Sequence, residues 1–410
     1  MNTVNATEKY FEYEHDCRIS ADNNIAHGSL TNSKRASSFV EGVYPTHLES
    51  GVQEYAIDVS GRKYVDYICG LGSNLFGYTN PDVKDSLITA INKGLTLSLG
   101  STSEVKFAEM FKAKFPHCQK IRILKSGSEG CSAAIRIART WTGRDLVLSD
   151  GYHGWHDEFT SLTPPAKGVP RHDSIEILTM ENLERLNPAA VIIEPVILEW
   201  SQGRRDYIER LRIACTRLGV VLIFVETITA YRFPECSVAR YWGIEPDISI
   251  QGKALANGMP LSVVGGRADI MDSDYFVSST FAGERLSLEA GITCVNLISG
   301  RYSPKYVWEQ GREFMDRMNR VLNPLIYLEG YPARGAFKGS TQIRSLFFQE
   351  MVKCGYLFHP STWFYNIHLH NHMHDVVDLA SKIRTKILGG DISLEGRPFQ
   401  LAFKKEEYKL

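Results

Sequence analysis

The sequence lacks the features that mark membrane, secreted and nucleic-acid-binding proteins. Its 410 residues contain no uninterrupted apolar stretch that approaches the ~18 residues of a membrane span. Residues 1–35 mix acidic, Asn and His residues without an apolar core segment, so we expect no secretory signal and a cytoplasmic location. The formal net charge of −1 shows no basic excess, and nucleic-acid binding is therefore not indicated.

Cysteine pairs and metal-ligand spacings are also missing. The eight cysteines form no C-x-x-C pair, so we expect most of them to be small buried side chains in a reducing compartment. We predict no metal site. What remains is the composition of an ordinary folded protein, with 43% hydrophobic and 23% charged residues. The length predicts two or three domains or one large α/β unit.

Apolar runs alternate with helix-like segments through the middle of the chain. Before them, residues 52–68 have the composition of a β-hairpin, and residues 81–95 have helical periodicity. Short apolar runs then recur at 146–149, 190–193, 220–225 and 248–250. Strands that alternate with helices predict βαβ units and a mostly parallel sheet.

The last third of the sequence starts a different pattern. It begins with a helix-like segment at 306–325 and continues as mixed α+β. We therefore predict a large central domain at 76–300. Segments 1–75 and 301–410 are expected to pack together as a smaller α+β domain.

The first of four candidate functional stretches is KSGSEG, residues 125–130. Ser126, Gly127 and Ser128 fall where a strand would end and a helix begin, with an acidic residue in the first helical turn. Free N–H groups at a helix start bind anions, and Ser hydroxyls add donors. An ordinary Ser N-cap explains the same residues, so this stretch alone does not establish an anion site.

The second stretch is SDGYHGWHDEF, residues 149–159, after an apolar run. Its aromatic residues, including Tyr152 and His153, suit stacking on a planar ligand, metal binding or simple capping of the core. The metal interpretation is the weakest, because the histidines have no third ligand at a characteristic spacing.

Two further stretches carry polar residues after strand-like runs. In residues 249–262, Lys253 lies among glycines rather than in a charged run, which suits a Schiff-base amine, although most lysines are simply exposed. In residues 278–291, Ser279 and Thr280 precede a helix and are of the type that binds phosphate or caps helices.

In this order, the stretches resemble the class III aminotransferases, a family of fold-type I pyridoxal phosphate enzymes, and within it the glutamate-1-semialdehyde aminomutase-like branch. The resemblance extends over nearly the whole chain. It rests on SKR, EYAIDVSGRKYVDY, SGSEG, IARTWTGRD, GYHGWHD, IIEPV, VLIFVETITAY, GKALANGMPLS, STFAGERLSLEAG, YLFHPS and the terminal PFQLAF.

The resemblance implies a large domain with a mostly parallel seven-stranded sheet, a smaller domain from both chain ends, pyridoxal phosphate as cofactor and a small amino substrate. In the family, the lysine that matches Lys253 forms the Schiff base with the cofactor aldehyde. Residues that match Gly127 and Ser128, beside Ser126, hold the cofactor phosphate, and Tyr152 matches the aromatic residue that stacks on the pyridine ring.

Four further residues have roles implied by the resemblance. Thr280 matches a threonine that reaches the phosphate in the neighbouring subunit, which implies a homodimer with shared active sites. Glu194 and His153 are weaker candidates near the substrate. Arg35 is a weak candidate for gripping a substrate carboxylate.

VLIFVETITAY departs from the family pattern. Relatives usually have an aspartate that keeps the pyridine nitrogen protonated, and here that position is Val225. The residue under the ring becomes Thr227. Glu226 follows, but adjacent strand residues point to opposite faces, so it is not expected to replace the aspartate.

Three functions are therefore compared. The first is a pyridoxal phosphate enzyme acting on an amino acid or amino-group donor. The second is a non-transaminating relative such as an aminomutase, epimerase, lyase or carbon–carbon bond transferase, which a weaker electron sink would suit. The third is an inactive binding protein, which the retained Lys253 and Tyr152 argue against.

Overall fold

The chain forms two compact units in a computed structural model that describes residues 6–162, 166, 168–170 and 172–401, with side chains from residue 14 onward. Unit 1 comprises residues 6–71, Leu75–Asn80 and residues 309–401, and unit 2 comprises Gly72–Asn74 and Pro81–Trp308. The domain limits expected at residues 75 and 300 stay predictions. The last two residues of the PFQLAF motif lie outside the described residues.

Unit 1 begins with a helix and an antiparallel sheet. Its first elements are α1 (Ala6–Asn24), β1 (Leu48–Val52), β2 (Tyr55–Asp58), β3 (Lys63–Asp66) and the short turn α2 (Cys69–Gly72). Strands β2 and β3 pair antiparallel, and the Asp58 carboxylate accepts the Arg62 amide across their turn at 2.9 Å. The predicted hairpin is confirmed.

Unit 2 contains the alternating elements. In chain order they are α3 (Pro81–Ile91), α4 (Thr102–Lys114), β4 (Lys120–Leu124), α5 (Gly127–Thr142), β5 (Val147–Asp150), α6 (Asp157–Thr160), β6 (Ile175–Ile177), α7 (Met180–Leu186), β7 (Ala190–Ile193), α8 (Gln202–Leu218), β8 (Val221–Glu226), α9 (Val238–Trp242), β9 (Ile248–Gln251), β10 (Ser262–Gly266), α10 (Ala268–Met271) and α11 (Arg285–Ser299). The predicted helix at 81–95 and the four predicted strands are confirmed.

These strands form the predicted mostly parallel seven-stranded sheet. Their order is β4-β10-β9-β8-β7-β5-β6, in which β10 runs antiparallel to both of its neighbours and the other pairs are parallel. Helix α5 covers one face with apolar side chains. Ala134 and Ile137 of α5 share a buried cluster with Ile223 and Ile250 of the sheet. Each buried Ile contributes about 1.5–3 kcal/mol, so this cluster fixes where α5 begins relative to the strand ends.

The chain returns to unit 1 within helix α12 (Pro304–Leu322), which confirms the helix predicted at 306–325. The remaining elements are β11 (Tyr327–Tyr331), β12 (Arg334–Lys338), α13 (Thr341–Lys353), β13 (Tyr356–Leu357), β14 (Trp363–Phe364) and α14 (Met373–Gly389). Strand β13 joins the N-terminal sheet beside β3, so both chain segments build unit 1. This confirms a smaller α+β part formed from the two ends.

Within the described ranges, no helix has the length and apolar character needed to cross a membrane.

Candidate active site in unit 2

Five strands of unit 2 end at the same edge of the sheet. The residue pairs that align these ends are Asp150 with Ile193, Ile193 with Phe224, Glu226 with Gln251, Gln251 with Val263, and Ser262 with Leu124. Strand β10 runs antiparallel to both β4 and β9. These two strands therefore run in the same direction, and β4 also ends at this edge. The segments after these strands carry most of the predicted site residues, as expected for a ligand site in an open α/β sheet.

The SGS loop (residues 126–128) joins β4 to α5. Ser126 is the N-cap of α5: its hydroxyl accepts the Glu129 amide at 3.3 Å, and Glu129 Oε2 accepts the Ser126 amide at 2.8 Å. This capping box uses the Ser126 side chain. The first-turn amides of a helix have no intrahelical acceptor, so Gly127 and Ser128 supply backbone donors suited to an anion.

The aromatic loop (residues 151–156), which follows β5, contacts the SGS loop. The Trp155 amide donates to Ser128 Oγ at 3.4 Å. Gly154 has φ +102°, and a Cβ at this position would lie 2.2 Å from Ser128 Oγ, so the contact requires glycine. Two stretches that the sequence presented separately therefore meet.

Glu194 fixes the backbone of Tyr152. Glu194 Oε1 accepts the Tyr152 amide at 2.7 Å, while Arg204 on α8 donates to the Glu194 carbonyl at 2.9 Å. Tyr152 is half-exposed. No motif marks Arg204 in the sequence, because this residue lies on a helix outside the four candidate stretches.

His153 points into the core. Its ring packs edge-on against Phe159 with centroids 5.3 Å apart, and burial lowers the pKa of His153 to about 3. A buried neutral ring does not favour the predicted substrate contact. The other histidine of this loop, His156, bonds Ser132 Oγ at 2.7 Å. In the portion of the chain with described side chains, no three His, Cys, Asp or Glu residues are grouped to hold a metal ion.

Val225 and Glu226 occupy opposite faces of β8. Val225 belongs to the apolar cluster under α5 and is 5% exposed. Glu226 is fully buried on the other face, where its carboxylate accepts the amides of Val238 at 2.7 Å and Ala239 at 3.2 Å. Burial raises the pKa of Glu226 to about 7, against the opposing effect of these bonds. The Glu226 carboxylate is therefore hydrogen-bonded to the start of α9.

Thr227 lies between the SGS loop and the segment that carries Lys253. Built Cβ positions on Gly127 and Gly252 each lie 3.2 Å from the Thr227 side chain. The Thr227 hydroxyl oxygen is buried and has no hydrogen-bond partner among the residues that the structure describes. A buried hydroxyl without a hydrogen-bond partner destabilises the folded protein. The Thr227 hydroxyl lies beside a helix start of the kind that binds anions and beside the residue that precedes Lys253, which is consistent with a bound polar ligand.

Lys253 begins the short 3₁₀ turn Lys253–Ala256 directly after β9 and Gly252. Its φ is +49°, a left-handed conformation that costs a non-glycine residue on the order of 1–3 kcal/mol. Its side chain is partly buried. Such strain is concentrated at functional sites, which distinguishes Lys253 from an ordinary exposed lysine.

Two further predicted site residues, Thr280 and Arg35, belong to other segments of the chain. Thr280 is exposed in the segment between α10 and α11. Arg35 belongs to unit 1, between the turns Asn32–Lys34 and Ala36–Ser38, and its buried Nε lacks a hydrogen-bond partner within the described residues. Their predicted roles stay predictions.

The residues that converge in unit 2 fit pyridoxal phosphate. The SGS loop offers anion donors, Tyr152 an aromatic face, and Lys253 a primary amine. The unsatisfied Thr227 hydroxyl supplies a polar contact between them. One expected element is missing, because Val225 provides no carboxylate for a ring nitrogen.

Comparison with known proteins identifies the class. The family described as Aminotransferase class-III matches residues 40–172 and 146–345, well over half of the chain. The protein belongs to the class III aminotransferase family, which confirms the predicted family.

Solved structures confirm the fold. The FumI protein of Sphingopyxis sp. MTA144, in its PLP internal aldimine form, is 21% identical with a TM-score of 0.84, covering 94% of this chain and 98% of that one. Ornithine aminotransferase from Toxoplasma gondii ME49 is 19% identical with a TM-score of 0.81, covering 95% and 100%. A glutamate-1-semialdehyde-aminomutase from Pseudomonas aeruginosa PAO1 is 19% identical with a TM-score of 0.79, covering 93% and 95%.

The chain therefore has the fold-type I architecture of pyridoxal phosphate enzymes. It is a pyridoxal-phosphate-dependent enzyme of the transferase or isomerase type.

Proposed function

We propose that the protein acts on an amino acid or another small amino-group donor, with Lys253 as its Schiff-base lysine. The observation that supports this most directly is the position of Thr227, whose side chain lies beside both Gly127 of the SGS loop and Gly252, the residue before Lys253. The helix start of the SGS loop and the residue before the strained Lys253 are thus both adjacent to one side chain with a buried hydroxyl.

Residues of this chain bind the cofactor, orient it and move a proton at the substrate. Gly127 and Ser128 bind the cofactor phosphate through the positive end of α5. Glu194 holds the backbone of Tyr152, so that its ring stacks on the pyridine. When bound, pyridoxal phosphate supplies an aldehyde that condenses with amines and a ring that accepts electrons released at the substrate Cα. Lys253 Nζ takes the proton from that carbon and returns it.

Val225 favours a second candidate, a non-transaminating reaction such as an aminomutase, epimerase, lyase or carbon–carbon bond transfer. An apolar side chain at the ring nitrogen gives a protonated ring no charge partner, and the Glu226 carboxylate is bonded to the start of α9 instead. The proton at Cα is then less acidic. Amino transfer requires a complete proton shift, so a less acidic proton slows it more than it slows reactions that do not need this shift.

We further propose a homodimer in which Thr280 completes the phosphate site of the partner subunit. Its exposure supports this role. Mixed dimers of Lys253→Ala and Thr280→Ala subunits test it. Each mixed dimer then has one intact site, which binds the cofactor with wild-type affinity, whereas a site built within one subunit gains nothing from mixing.

Cofactor absorption tests the central role of Lys253. The purified protein, reconstituted with pyridoxal phosphate, is expected to show the absorption band of a lysine-bound cofactor, and Lys253→Ala is expected to lose it. Lys120→Ala is a control at the opposite end of β4 from the SGS loop and should retain the band. Absence of bound cofactor in the wild-type protein would reject the proposal.

Adding an amino donor to the reconstituted protein distinguishes the two candidate reactions. Stoichiometric conversion of the cofactor to its amine form, with release of a keto acid, supports transamination. Turnover without that conversion supports the non-transaminating alternative.

A further inference from the structure

A largely buried ion pair joins the SGS loop to the segment that carries Thr280. Lys125 Nζ, on the residue before the loop, lies 2.8 Å from Glu284 Oε1, and the two side chains are only 17% and 14% exposed. Glu284 also caps α11, because its carboxylate accepts the amides of Leu286 at 2.8 Å and Ser287 at 3.0 Å. One carboxylate thus holds both a helix start and a lysine 159 positions earlier in the chain.

The opposite end of the same segment is anchored as well. We name residues 276–284 the Thr280 segment. Arg136 on α5 donates to the Phe276 carbonyl at 2.9 Å, and Arg122 on β4 donates to the Val277 carbonyl. The Thr280 segment is therefore clamped at both ends to β4 and α5, the two elements that the SGS loop connects. Thr280 itself is exposed between the clamps.

We propose that Lys125 and Glu284 are positioning residues for cofactor binding, which hold Thr280 at the geometry required to contact a phosphate. This rests on the proposed role of Thr280. In a homodimer of the proposed kind, the clamp ties the phosphate loop of one subunit to the segment that completes the site of the other. Neither residue contacts the cofactor in this role; both act through Thr280.

The negative charge of Glu284, considered without the clamp, predicts that removing it has the opposite effect on cofactor binding. Burial opposes ionisation of Glu284, but bonds from Lys125 and Ser287 outweigh it and lower the pKa of Glu284, so this group is anionic at neutral pH. An anion near a phosphate site repels the phosphate. If Glu284 acted only through its charge, Glu284→Gln would strengthen pyridoxal phosphate binding. If it acts as a clamp, the same substitution weakens binding.

The test is a titration of the full-length apoprotein with pyridoxal phosphate, followed by absorbance and by quenching of intrinsic fluorescence. We expect Glu284→Gln to raise the Kd about tenfold, the scale of a lost partly buried charge contact. Lys125→Met leaves the helix cap intact and should raise the Kd similarly, whereas Lys125→Arg should stay close to wild type. Thermal unfolding of each apoprotein verifies that the variants are folded.

A double-variant cycle gives the decisive result. In the Thr280→Ala background, Glu284→Gln and Lys125→Met are expected to have no further effect on the Kd, because they act through Thr280. Equal or tighter binding by Glu284→Gln, or effects that multiply with Thr280→Ala, would overturn the clamp while leaving the proposed function standing. A wild-type apoprotein that binds no pyridoxal phosphate would overturn both.

Discussion

Glu226 and Val238 are joined by a 2.7 Å hydrogen bond from the Val238 amide to the buried Glu226 carboxylate. This bond keeps the one carboxylate next to Val225 on the far face of β8. Because strand neighbours alternate in direction, returning Glu226 to the other face would require a bulge in a strand whose pairing with β9 is regular here. The apolar character of position 225 is therefore not compensated by its neighbour.

Replacing Val225 with Asp is expected to restore the missing charge partner. The rate of cofactor conversion by an amino donor in a single turnover should rise at least about tenfold, because a protonated ring stabilises the electrons released at Cα. The apoprotein should lose about 1–3 kcal/mol of stability, since the carboxyl enters an apolar cluster. Val225→Asn provides the uncharged control. An aspartate variant no faster than the asparagine variant would contradict this interpretation.

Glu226 is expected to make stability depend on pH. Its pKa is 4.5 in the unfolded reference and about 7 in the folded chain, mainly because of burial. Between these values the folded state binds a proton that the unfolded state has released, so stability decreases as pH rises and becomes constant above about pH 7. The decrease is up to about 3 kcal/mol.

The Glu226→Gln variant isolates this effect. Denaturant unfolding of both proteins from pH 4.5 to 8 should show that the wild type loses stability relative to the variant as pH rises. A difference that stays constant across the range would show that Glu226 keeps an ordinary pKa when folded.

Two threonines on the segment after β8, Thr227 and Thr229, are expected to respond oppositely to replacement by Val. Thr227 has an unpaired hydroxyl, whereas the Thr229 hydroxyl donates to Glu226 Oε2 at 3.1 Å. In the apoprotein, Thr227→Val should be neutral or slightly stabilising, and Thr229→Val should destabilise by about 1–3 kcal/mol. Thr227→Val should also weaken pyridoxal phosphate binding. Equal destabilisation by both substitutions would indicate that Thr227 has a structural partner instead.

The sequence predicts the fold where local pattern dominates. Strand β7 coincides with the apolar run 190–193, and β8 differs from the run 220–225 by one position at each end. Both strands are buried on both faces, so their apolar runs are continuous and easily recognised. Strands β6 and β10 do not follow from these apolar runs, and the antiparallel direction of β10 depends on pairing rather than on local composition.

The candidate site is less accessible to sequence reasoning. The motifs identify Lys253, the SGS loop and Tyr152 as candidates, and alternation in β8 correctly separates Val225 from Glu226. The pattern carries no information on which distant groups meet. The Lys125–Glu284 pair and the Arg204 contact with Glu194 depend on tertiary packing, and neither follows from motif spacing.

In the proposed function, Lys253 carries the cofactor in a site whose ring nitrogen faces Val225. The role of Lys253 is tested by reducing the reconstituted wild-type protein with borohydride and locating the modified residue by peptide mass spectrometry. We predict a pyridoxyl group on Lys253 and none on Lys125, which follows β4 at the same edge of the sheet. Modification of a different lysine, or no stable modification, would show that Lys253 does not hold the cofactor.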